Sequence, residues 1–202
     1  MIITCLGDSL TEGDYGVFGK SGIPNIKPEN YPYFLGQLLE CEVRNFGKCG
    51  YRASDYLHFY QDGHVSAKGS SIILLMLGTN GGVHPKDDNS PENSALRALI
   101  NACRADVPEA TIVLCTPPHA TENPFYSNCG YALQVRDAVE YVRVLAEKEN
   151  LPLIDVASCP DFTAESEAVM QPNDGLHFGL KGYRALAMFI AEGLKGLGLL
   201  HT

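Results

Sequence analysis

The sequence of 202 residues contains no tryptophan, only 15 lysines and arginines against 24 aspartates and glutamates, and no long apolar run. Each shortage closes off a class of function. A formal net charge of -9 leaves too few clustered basic side chains to replace the counterions of a phosphate backbone, so no nucleic-acid partner is expected. No segment approaches the ~20 apolar residues needed to cross a bilayer, and no basic stretch followed by an apolar one opens the sequence. The expectation is a cytoplasmic protein without a membrane span. Seven cysteines, Cys5, Cys41, Cys49, Cys103, Cys115, Cys129 and Cys159, form no CxxC pair and are odd in number. That pattern speaks against a disulfide framework or zinc site and for free thiols. His58, His64, His84, His119 and His201 lack metal-ligand spacing, and the GxxxxGK[ST] spacing of a phosphate-binding P-loop is absent.

What is present is an ordinary globular balance, 45% hydrophobic and 19% charged, which fits a single domain over residues 1–202. Short apolar runs recur at Ile2 to Leu6, Val43 to Phe46, Ile72 to Leu77, Thr111 to Cys115 and Leu151 to Val156. Their length and β-branched content predict buried strands. Between them, apolar residues at spacings of three and four predict helices over Tyr33 to Glu40, Ser94 to Ala105, Leu133 to Glu149 and Leu180 to Leu194. Alternating strands and helices imply parallel β-α units and a three-layer α/β fold, flavodoxin-like, with a five-stranded parallel sheet of order 2-1-3-4-5.

In that order the ends of strands one, two and three are neighbours. Asp8-Ser9, the stretch Asn45 to Gly50, and Gly78-Thr79-Asn80 therefore converge on one rim, where open α/β sheets collect their ligands. Just before the last helix, Asp174 stands three residues ahead of His177. A serine hydroxyl is a weak nucleophile unless a base takes its proton, and a carboxylate fixes the tautomer of that base. Ser9, His177 and Asp174 supply these parts. The Ser9 and Gly50 backbone N–H groups and the Asn80 amide supply donors for an oxyanion.

The blocks "GDSL" at Gly7 to Leu10, "NxGxxG" at Asn45 to Gly50, "GTN" at Gly78 to Asn80 and "DxxH" at Asp174 to His177 resemble, in order and over nearly the whole chain, the GDSL or SGNH hydrolases. The resemblance implies Ser9 as nucleophile, His177 as base, Asp174 as its orienter, Gly50 and Asn80 as oxyanion donors, and no metal or cofactor. Two positions depart from the pattern of many members: Gly81 stands where an aspartate often follows the asparagine, and Phe178 where a proline often follows the histidine.

Taken singly, each residue has a plainer reading. Asp8-Ser9 is also a helix cap, Asn80 a turn residue, His177 a surface histidine, and Gly47 a tight-turn glycine. Asp8 is read as a local turn-former, and Cys49 as a buried inert thiol. The long stretches Thr11 to Asn30, with Tyr15 and Phe18, and Thr116 to Cys129, with Phe125 and Tyr126, are read as substrate-binding pocket walls, with a homo-oligomer contact as the competing account. The expectation is a serine esterase acting on a small-molecule ester with a short acyl group, such as O-acetyl on a carbohydrate. The alternatives are a lysophospholipase or thioesterase of the same family and, in a different class, a non-catalytic flavodoxin-like ligand-binding module.

Overall fold

The computed structural model describes residues 1–18 and 23–200. The chain opens with β1 (Ile2–Gly7), a single helical turn α1 (Ser9–Glu12), and an antiparallel hairpin of β2 (Asp14–Phe18) and β3 (Pro24–Ile26). There follow α2 (Tyr31–Leu39), β4 (Glu42–Gly47), α3 (Ala53–Gln61), β5 (Ile72–Met76), α4 (Pro91–Asp106), β6 (Thr111–Cys115), α5 (Ala132–Lys148), β7 (Leu153–Ile154), α6 (Glu167–Met170) and α7 (Leu180–Gly196). The main sheet runs β4-β1-β5-β6-β7, every pair parallel. Renumbered by strand, this is the expected order 2-1-3-4-5.

The strand sequences read as continuous apolar runs because both faces are covered. Along β5, Ile72, Leu74 and Met76 join the core under α2 and α7, while Ile73 and Leu75 join the core under α3, α4 and α5. β6 divides the same way, with Val113 and Cys115 on one side and Ile112 and Leu114 on the other. Side chains alternate across a strand, so one run feeds two cores. Burying a Leu or Ile fully is worth about 1.5–3 kcal/mol, and the central strands therefore fix the register.

Helix boundaries follow capping chemistry. Ser90 accepts the Asn93 N–H ahead of Pro91 at the start of α4, and Asn30 accepts the Tyr33 N–H at the start of α2. Both helices thus begin earlier than their apolar periodicity indicates, and the fifth strand is trimmed to two residues.

Two elements depart from the sequence reading. The stretch Thr11 to Asn30 is not an irregular loop throughout; it carries the α1 turn and the β2–β3 hairpin. Helix α3 was not expected, because its buried side is only Ala53, Tyr56 and Tyr60 among polar residues. Among the described residues no helix is long and apolar enough to cross a membrane.

Candidate active site

β1 ends in the core, and the chain turns at Asp8, whose Oδ1 accepts the Leu10 N–H at 3.1 Å and caps α1. Ser9 is the first residue of that turn, so its N–H has no helical acceptor. Ser9 is 3% exposed, and its hydroxyl lies 2.9 Å from Nε2 of His177. On the far side of the ring, Nδ1 lies 2.6 Å from Oδ2 of Asp174. Asp174 is held in turn: Oδ1 accepts the backbone N–H groups of Leu176 at 3.0 Å and His177 at 2.8 Å, and Oδ2 accepts the Asn128 amide at 2.9 Å. Hydroxyl, imidazole and carboxylate therefore form one continuous hydrogen-bonded relay across 168 positions of sequence.

The electrostatics suit a base. Burial disfavours a charged His177 ring, but the hydrogen bond and charge of Asp174, with the charges of Asp14 and Asp8, outweigh it and hold the imidazole above its ordinary 6.5. Burial would raise Asp174; its hydrogen bond to the His177 ring, that ring's charge and the two backbone N–H groups lower it instead. Asp8 is different. Burial pushes its carboxyl up to about 6 against the opposing Leu10 N–H, Thr79 and the His177 charge, and its Oδ2 makes no close hydrogen bond among the described residues.

Gly50 and Asn80, the expected oxyanion donors, follow the two strands that flank β1. Gly50 follows β4 with φ of 77°, a left-handed conformation that favours glycine, and nothing lies within 4 Å of where a Cβ would stand. Asn80 follows β5 and spends one amide hydrogen on the Tyr51 carbonyl at 3.0 Å, which ties it to the Gly50 loop and leaves the other hydrogen available. That loop is fastened from below, where Glu12 accepts the Cys49 N–H at 2.6 Å. Gly47 is a close-approach glycine rather than a turn former: a Cβ there would stand 2.0 Å from the Glu12 nitrogen.

The two departures from the family pattern have structural reasons. Gly81, at φ 79°, leaves the room that Gln134 needs to donate to the Thr79 carbonyl at 2.9 Å. Phe178 is fully buried against Phe162 and Tyr183, with ring centroids 4.7 and 5.6 Å away.

The expected pocket walls are rearranged. Tyr15 is 6% exposed, packs on Tyr183 at 5.1 Å and donates its hydroxyl to the Glu29 carbonyl, so it is a core residue and not a wall. The Phe18 side chain lies outside the described residues. Phe125 is 95% exposed, while Tyr126 packs beside Gly175, next to Asp174. The cavities of about 450, 370 and 260 Å³ are lined without Ser9 or His177. Asp14, Glu12 and Asn128 carried no signal in the sequence; each is brought to the rim by the tertiary fold.

The profile of the GDSL-like lipase/acylhydrolase family matches residues 5–185. The chain belongs to this family. It is accordingly a carboxylic ester hydrolase. An aryl esterase of M. smegmatis superposes with a TM-score of 0.76 at 19% identity, covering 97% of this chain and 99% of that one. A carbohydrate acetylesterase of Sinorhizobium meliloti gives 0.75 at 17% identity, covering 97% and 99%. A lipase/acylhydrolase of Enterococcus faecalis gives 0.70 at 20% identity, covering 97% and 96%. At these identities the likeness carries the fold. A comparison with curated protein sequences gives no match.

Proposed function

We propose that the protein, a single catalytic domain, is a serine esterase that works through an acyl-enzyme on Ser9. The Ser9 proton passes to Nε2 of His177 as Oγ bonds to the ester carbon, and Asp174 stabilises the imidazolium through Nδ1. The carbonyl electron pair moves to oxygen, where the Ser9 and Gly50 N–H groups and the Asn80 amide receive it; one such donor is typically worth about 3–4 kcal/mol in the transition state. Nε2 then gives its proton to the departing alcohol, and water repeats the cycle to free the acid. The observation that carries this reading is the continuous relay of 2.9 and 2.6 Å from Ser9 through His177 to Asp174.

For substrate we propose a short acyl group, such as O-acetyl on a carbohydrate. One fold relative is a carbohydrate acetylesterase, which supports this reading. The test is hydrolysis of p-nitrophenyl esters from acetate to palmitate by wild type and Ser9→Ala. The expected result is Ser9-dependent turnover that falls steeply beyond butyrate, with the melting temperature of Ser9→Ala nearly unchanged. Turnover that survives Ser9→Ala would overturn the mechanism. Ser9-dependent turnover rising with chain length would replace the acetyl ester by a lysolipid or thioester.

A further inference from the structure

The relay accounts for one carboxylate at the imidazole, and the fold supplies a second on the other side. Asp14 opens β2 five residues beyond Ser9, is 2% exposed, and sets Oδ2 3.7 Å from Nε2 of His177, the nitrogen that faces Ser9. At 3.7 Å it does not take the Nε2 hydrogen bond from Ser9, but its charge acts at short range through a buried gap. The carboxylate is fixed from several sides. Oδ1 accepts the Gly16 N–H at 2.9 Å, Oδ2 accepts the Cys49 thiol at 3.2 Å, and the backbone carbonyl accepts the Tyr183 hydroxyl at 2.6 Å.

We propose that Asp14 is a positioning residue for the reaction: it stabilises the His177 imidazolium from the Nε2 side while leaving the Nε2 proton free for the departing alcohol. This rests on the esterase reading above. In the first half-reaction the Ser9 Oγ–H bond breaks and Nε2–H forms as Oγ bonds to carbon; in the collapse Nε2–H breaks, the proton goes to the alkoxide, and the carbon–alkoxide bond opens. Asp14 neither gains nor loses a proton. The groups facing the ring are Asp174 from its own loop, Asp14 from β2, Asp8 ahead of α1, and the neutral Ser9 hydroxyl; Cys49 and Tyr183 face it only through Asp14. Among the described residues, no lysine or arginine forms an ion pair with Asp8, Asp14 or Asp174. The field at the ring is therefore negative on both sides.

The test is Asp14→Asn, which keeps an acceptor for Gly16 and removes the charge, with Asp14→Ser as a second neutral variant. Two readouts apply: the pH profile of kcat/KM, and the NMR titration of the His177 imidazole, which needs no turnover. A nearby opposite charge moves a titration by about one pH unit or more. The expected result is that the acid limb and the imidazole midpoint both move down by about one pH unit, and kcat on the plateau falls about tenfold with KM unchanged. Cys49→Ala, which leaves the charge in place, should keep the wild-type limb. An unmoved imidazole midpoint in either folded neutral variant overturns the role of Asp14, as does a wild-type midpoint at or below 6.5. Turnover surviving Ser9→Ala would instead overturn the reading on which it rests.

Discussion

Asp8 sits between β1 and Ser9 and serves two opposed ends. Its Oδ1 caps α1, while its Oδ2 is buried and makes no close hydrogen bond among the described residues. A carboxyl raised from 3.8 to about 6 by burial favours the protonated state in the folded protein. Its contribution to stability is therefore full below about pH 4 and is lost as pH rises through about 6, a cost on the order of 3 kcal/mol. Asp8→Asn keeps a capping oxygen and removes the charge. Its melting temperature by calorimetry should exceed that of wild type by several degrees at pH 7.5 and match it near pH 4. A difference independent of pH would show that this carboxyl titrates as an exposed one.

The β2 strand of the hairpin packs against the relay, and Gly16 lies directly over Asp174. At φ 66°, a Cβ on Gly16 would stand 2.5 Å from Oδ2 of Asp174, the oxygen bonded to His177. Gly16→Ala should lower kcat by about tenfold or more, since displacing Asp174 misorients the base, and should lower the melting temperature. Unchanged kcat would mean that the hairpin moves aside without disturbing the relay. None of this was legible in the sequence, where Gly13, Gly16 and Pro24 read as loop. The central strands were legible because burial on both faces leaves a composition that nothing else produces. The proposed triad was legible because Ser9 directly follows β1 while Asp174 and His177 share one short segment ahead of the last helix. Asp14 escaped notice because its approach to His177 depends on the path of the hairpin and not on any spacing, and Tyr15 was misplaced because an aromatic residue in a loop does not announce which side it faces.

At the scale of the whole molecule, all seven cysteines are free thiols, and Cys5, Cys103, Cys115 and Cys159 are buried. Burial pushes the Cys103 and Cys115 thiols up to about 11 and about 12, and Cys5 higher still, which leaves little thiolate for attack at neutral pH. Titration with Ellman's reagent at pH 7.5 should find at most three prompt thiols in the native protein and seven in guanidinium. More than three prompt thiols would contradict the packing of both cores. The relay also joins residue 9 to residue 177, and β1 lies between β4 and β5, strands made after it. During synthesis Ser9 therefore leaves the ribosome long before His177 has been made. No contiguous fragment shorter than residues 9–177 holds the whole relay, so the hydrogen bond from Ser9 to His177 forms only after nearly all of the chain has been made and the central strands have paired.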